Sequence, residues 1–241
     1  MAELTEYINT LKTKYPYLHF NTYDIIEPHL NVYVSSINII KITYNMSLDS
    51  NDMEPLVVIP GYSFKSFSTM TSILLESFDM IKNKYNHIIL VNWGDKIKEI
   101  STEIVKDIKD EDTKYKINED FRIKMANVLD KILRSPDMML GSKFAILGKS
   151  AGGGIALYIA SMNQSVDKLY LCAPATILAG KIIKDRDDLT ILLSWNKDDN
   201  MIPYEKYKDF EDDFQQQNNK YKVYLYEIGG HELNFEFVKK L

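Results

Sequence analysis

The chain has 241 residues, 45% of them hydrophobic and 26% charged, with a formal net charge of −5. This composition is ordinary for a globular protein, and the acidic balance argues against nucleic acid or an anionic membrane as a partner. One cysteine, Cys172, excludes an internal disulfide, and its apolar surroundings read as core. The length suits one domain with a large core, so residues 1–241 are read as a single domain. The N-terminal stretch carries acidic residues and no apolar run of signal-peptide length. No segment approaches the ~18 apolar residues of a membrane span. The expected location is therefore the cytoplasm.

Ala2 to Lys14 places Leu4, Tyr7, Ile8 and Leu11 at helical spacing, and Pro16 stops the helix. Asn31 to Asn45 is rich in β-branched and aromatic residues, which predicts one long or two short strands, an antiparallel edge pair. Ser47 to Pro55 is a polar loop. Leu56 to Ile59 is a buried strand that runs into the turn Pro60-Gly61-Tyr62-Ser63. Ser68 to Lys84 is a helix with Met70, Ile73, Leu74, Phe78 and Ile81 on one face. His87 leads into a strand over Ile88 to Val91.

Lys96 to Lys116 is charged and mixed in sign, a surface helix followed by a solvated linker over Lys109 to Lys116. Asn118 to Ser135 is an amphipathic helix, with Pro136 and Gly141 marking its exit. Phe144 to Leu147 is an apolar run without polar interruption, the signature of a central parallel strand. Further strands are expected over Leu169 to Ala173, Thr190 to Trp195 and Tyr221 to Ile228. A polar helix over Tyr204 to Gln217 and a short closing helix over Leu233 to Leu241 complete the pattern. From Leu56 onward strands alternate with helices, which implies a mostly parallel sheet covered by helices on both faces.

Between the strand at Phe144 and the apolar helix that follows stands Gly148-Lys149-Ser150-Ala151-Gly152, a G-x-S-x-G pattern. A nucleophile held on a strained strand-to-helix turn needs small neighbours two residues to either side, because the backbone there passes close to itself. Gly148-Lys149-Ser150 also ends like a phosphate-binding loop, but that loop needs a glycine five residues earlier, where Lys143 stands. Lys149 is expected to face solvent.

Ligands of an open α/β sheet bind at the carboxyl ends of its strands. Ser150, the adjacent Asp198 and Asp199, and His231 each follow a predicted strand. Serine needs a base to take its proton, and the base needs a carboxylate to orient it. His231 is the sole histidine after Ser150. His19, His29 and His87 lie upstream and read as structural or exposed.

The order Ser, Asp, His resembles that of the α/β-hydrolase family, of the serine esterase-lipase type. The resemblance runs from Leu56 to the C-terminus, and Asn31 to Asn45 matches the early antiparallel strands. Gly148 to Gly152 is similar to the nucleophile elbow, Asp199-Asn200-Met201-Ile202-Pro203 to the acid loop, and Gly230-His231 to the histidine loop. Pro60-Gly61-Tyr62-Ser63 resembles the oxyanion turn, with Pro60 in place of the usual histidine. That turn contributes a backbone N–H, so the replacement is tolerable.

The resemblance implies Ser150 as nucleophile, His231 as base and Asp199 as acid, favoured over Asp198 by the spacing to Pro203. It also implies the N–H groups of Tyr62 and Ala151 as oxyanion donors. The run from Pro174 to Leu189 is too short for a large cap. The cover over the site is then expected from Asp95 to Lys116 or from the aromatic stretch Tyr62 to Phe67.

The expected function is hydrolysis of a carboxylic ester or thioester through an acyl-enzyme. The substrate would be a small acyl ester or an acylated protein. A peptidase or acyltransferase with the same triad is a second reading, and a non-catalytic binding protein on the same fold a third. No cofactor is expected, and no His/Cys set has metal-ligand spacing. Oligomeric state is not readable from the surface pattern.

Overall fold

Uninterrupted apolar runs, which can only be stable with both faces covered, form the middle of one eight-stranded sheet. The structure, a computed structural model, describes residues 2–25, 37–44, 53–93, 96–176, 179–208, 214 and 220–241. The strands are β1 (Leu18–Ile25), β2 (Ile37–Tyr44), β3 (Glu54–Ile59), β4 (Tyr85–Asn92), β5 (Phe144–Lys149), β6 (Val166–Cys172), β7 (Thr190–Asn196) and β8 (Lys220–Tyr226). Their spatial order is β1-β2-β4-β3-β5-β6-β7-β8. β1, β2 and β4 pair antiparallel, and every pairing from β4 to β8 is parallel.

Successive side chains of a strand point to opposite faces, and the core divides accordingly. Val57, Ile59, Ile89 and Ile146 lie on one face, beneath α5 (Glu111–Leu133) and α6 (Ala151–Met162). Leu56, Val58, Leu90 and Leu147 lie on the other. That face is covered by α1 (Ala2–Lys14), α2 (Phe64–Glu76), α3 (Phe78–Ile81) and the closing helix α8 (Phe235–Val238). Two shorter surface helices are α4 (Lys96–Glu103) and α7 (Ala179–Ile182).

Several boundaries differ from the sequence expectation. The partner of β2 is β1, Leu18–Ile25, and not a second strand within Asn31 to Asn45. Residues 26–36 and 45–52, which held part of that expectation and most of the predicted polar loop, lie outside the described residues. α2 begins four residues before Ser68, because the Ser63 hydroxyl caps it by accepting from the Ser66 N–H at 3.0 Å. It breaks at Ser77, whose hydroxyl turns back to donate to the Ile73 carbonyl at 2.9 Å.

The predicted linker over Lys109 to Lys116 is instead largely helical. Asp110 caps α5 by accepting from the Thr113 N–H at 2.8 Å. Glu111 and Asp112 in the first turn favour that start through the helix dipole. The polar helix expected from Tyr204 opens as a 3-10 turn, Tyr204–Tyr207, and most of its remainder, 209–213 and 215–217, lies outside the described residues.

The consequence for function is one of placement. β3 neighbours β5, while β4 lies on the outer side of β3. The chain therefore leaves the carboxyl ends of β3 and β5 in different directions, and a crevice opens between them.

Candidate active site

Ser150 occupies the turn between β5 and α6 with φ 55 and ψ −126. A side chain is rarely held at positive φ, and the surroundings have to over-determine it. They do so through the backbone: the Ser150 N–H donates to the Cys172 carbonyl at 2.9 Å, and its carbonyl accepts from Ala175 at 2.8 Å and Gly153 at 2.9 Å. The two glycines of the pattern are steric necessities. A Cβ on Gly152 would stand 2.2 Å from the Ile59 carbonyl oxygen, and one on Gly148 would stand 2.8 Å from the Gly152 oxygen. Gly152 thus brings the elbow into backbone contact with the end of β3.

That contact sets the turn Gly61-Tyr62 beside the serine. A Cβ on Gly61 would stand 3.5 Å from the Ser150 Cβ. The Gly61 N–H is taken by the Ser66 hydroxyl at 3.0 Å. The Tyr62 N–H has no acceptor among the described residues. Ala151 is the first residue of α6, so its N–H has no partner within the helix. The Tyr62 ring turns away to meet Phe121 edge-on at 5.8 Å. Burial pushes its phenol well above the ordinary value. Phe64 packs on Tyr7 and Phe67, and Phe67 is core. Of the three aromatic residues in that stretch only Tyr62 lines the cleft, beside Ser63, Lys65 and Ser66.

The two aspartates after β7 face different groups. One oxygen of Asp199 accepts from the N–H groups of Met201 and Ile202, both at 2.9 Å, and the other lies 2.7 Å from His231 Nδ1. Asp199 is 3% exposed. A carboxylate held by two N–H groups is an acceptor only, so Nδ1 carries the proton and Nε2 is left for the cleft. Asp198 accepts instead from the N–H groups of Gly229 at 3.2 Å and Gly230 at 2.7 Å. The spacing to Pro203 favours Asp199, and the hydrogen bond to His231 falls on it.

Ser150, Ala151, Tyr62 and His231 line one cleft of about 330 Å³, together with Lys65, Lys98, Lys149, Met201 and Glu232. Among the described residues no hydrogen bond joins Ser150 to His231. Lys149, expected in solvent, is buried at 3% exposure, with its ammonium 3.0 Å from the Glu232 carboxylate. It is the last residue of a central strand, and so it points into the sheet's own cover. His87 is likewise buried; burial, with the Lys41 cation beside it, holds its imidazole down to about 4.

Sequence reasoning missed Glu232, Lys98 and the buried Asn196, which contacts the histidine loop. No local pattern marks Glu232 and Asn196, because their partners, Lys149 for the one and the carbonyls of Gly230 and Glu232 for the other, are distant in sequence. Among the described residues no group of three or more His, Cys, Asp or Glu could hold a metal ion. No helix among them is long and apolar enough to cross a membrane.

A mostly parallel sheet with a serine on a strained strand-to-helix turn is an α/β-hydrolase fold. Residues 85–236 match the family model described as the dienelactone hydrolase family, and the chain belongs to that family. It is a hydrolase that acts on ester bonds. No curated protein matches it.

Among solved structures, the chain is similar to one described as a CIB-like hydrolase from Thermoplasma acidophilum. The TM-score is 0.60 and the identity 15%, over 92% of this chain and 96% of that one. A dienelactone hydrolase from Anabaena variabilis gives a TM-score of 0.57 at 12% identity, over 89% and 88%. A sugar hydrolase from Lactococcus lactis gives 0.59 at 12%, over 88% and 84%. At these identities the likeness is one of fold.

Proposed function

We propose that the protein is a serine hydrolase that cleaves carboxylic esters or thioesters through an acyl-enzyme. The observation that carries this reading is the 2.7 Å contact between His231 and a fully engaged Asp199, in the same cleft as Ser150 on its strained turn.

His231 Nε2 takes the Ser150 proton as Oγ attacks the carbonyl carbon, and the carbonyl electron pair moves to oxygen. The N–H groups of Tyr62 and Ala151 receive that oxyanion. Collapse expels the leaving alcohol or thiol, which takes the proton from His231. Water then repeats the sequence, with His231 as base, and releases the acid and free Ser150.

The connection from Ala173 to Leu189 holds one four-residue helix among its described residues. So short a connection beside the cleft suits a substrate whose bulk stays outside, either a soluble short ester or an acylated protein.

The test is covalent labelling of the purified protein with a fluorophosphonate, beside Ser150→Ala and His231→Ala. Labelling that disappears in both variants supports the reading. A folded wild-type protein that does not label sinks the acyl-enzyme.

A further inference from the structure

We propose that Asn196 is a positioning residue that holds His231 against Asp199. This rests on the reading of His231 as the base.

Asn196 is the last residue of β7 and is 3% exposed. Its amide nitrogen donates to the carbonyls of Gly230 and Glu232, both at 2.9 Å. These are the carbonyls directly before and after His231. Both neighbours are acceptors, so the NH₂ end of the amide must be the end that faces them. The amide oxygen accepts from the Asn234 side chain at 3.3 Å. Both polar atoms of its amide are thus spent on the segment that carries the imidazole.

Residue type follows from this geometry. The position needs two donors on one atom, close to the backbone. Aspartate offers none, and serine offers one. Gly229 is the matching half: a Cβ there would stand 2.6 Å from the Asn196 amide. From the other side, Asp198 takes the N–H groups of Gly229 and Gly230. The histidine loop is therefore gripped by its carbonyls and its N–H groups at once. Both grips come from the end of β7, within a few residues of Asp199. Removing one lets the imidazole drift relative to a carboxylate that is itself fixed by Met201 and Ile202.

The test compares Asn196→Ala and Asn196→Ser with the wild type. Steady-state kinetics on a short ester is read beside the low-field proton NMR signal of the His231 Nδ1–H, assigned by its absence in His231→Ala. In Asn196→Ala we expect kcat to fall about 10- to 100-fold, the scale of an ångström-level misplacement, with KM within about threefold. The Nδ1–H signal broadens or vanishes. Asn196→Ser, with one donor, falls between.

The proposal is overturned if folded Asn196→Ala keeps kcat within about twofold, or if its signal is unchanged whatever kcat does. Should Asn196→Ala not fold, Asn196→Ser carries the same test: an unchanged signal or kcat overturns the proposal. If the wild type itself hydrolyses no ester, the acyl-enzyme reading fails separately, and the NMR signal alone decides the role of Asn196.

Discussion

Asp198 and Asp199 are adjacent in the chain, yet their carboxylates serve different atoms of the same loop. Asp199 meets the His231 imidazole at 2.7 Å, and Asp198 meets the Gly230 N–H at 2.7 Å. One orients a side chain and the other anchors the backbone that bears it. Their substitutions should separate accordingly. Asp199→Asn should lower kcat by about 10⁴-fold, because the imidazole loses the partner that fixes its tautomer. Asp198→Asn should cost about tenfold or less, since the amide keeps one acceptor for the two N–H groups. Comparable losses in the two, measured as kcat on one ester, would contradict the assignment.

The glycines predict a contrast in stability. Gly152→Ala places a methyl group 2.2 Å from the Ile59 oxygen, a backbone clash that no rotamer relieves. We expect insoluble protein or a loss of more than about 3 kcal/mol. Gly141 is the control: it sits at φ 66, and a Cβ there would meet nothing within 4 Å. There alanine should cost about 1 kcal/mol, from conformation alone. Urea midpoints of the two variants check the difference.

Lys65 and Lys98 stand at the cleft with no carboxylate partner among the described residues, whereas Lys149 is paired with Glu232. Esters that carry a carboxylate should therefore be used at lower KM than neutral esters of the same size. The Lys65→Gln/Lys98→Gln double variant should raise KM for the anionic ester by about 5- to 10-fold and leave the neutral one alone, and added salt should mimic it. An equal effect on both esters would show that the lysines act on something other than substrate charge.

His87 gives a pH dependence of stability with a defined sign. Its folded value is depressed to about 4 by burial and by Lys41, from an ordinary 6.5. Between those values the unfolded chain binds a proton that the folded chain refuses. Stability is thus complete above about pH 6.5, declines as pH falls toward 4, and loses at most about 3 kcal/mol over that window. Chemical denaturation at pH 7 and pH 5 should show a drop that His87→Phe reduces. An unchanged drop in that variant would assign the acid sensitivity elsewhere.

The sheet and the site residues differ in how far local sequence discloses them. Runs such as Phe144 to Leu147 announce buried parallel strands because nothing polar interrupts them. β1 does not, since exposed His19, Asn21, Thr22 and Asp24 interrupt its core residues Leu18 and Phe20. Helix starts at Phe64 and Glu111 depend on the Ser63 and Asp110 caps, single hydrogen bonds inside stretches that look like loop. Ser150, Asp199 and His231 are legible as candidates because each follows a strand at the same end of the sheet. Lys149, Glu232 and Asn196 are not, because their roles are pairings across 30 or more positions that exist only once β5, β7 and the closing segment lie side by side.

The contact of Gly152 with Ile59 bears on how such a site can diversify. Two main chains touch there with no side chain between them, so Ser150 and the Gly61-Tyr62 turn form one inelastic piece. Lys65, Lys98 and the 76% exposed Met201 belong to the walls and not to that piece. A lineage can exchange those walls to admit new esters while the reacting atoms keep their spacing. The chemistry is inherited as a unit, and the choice of substrate is left open to change.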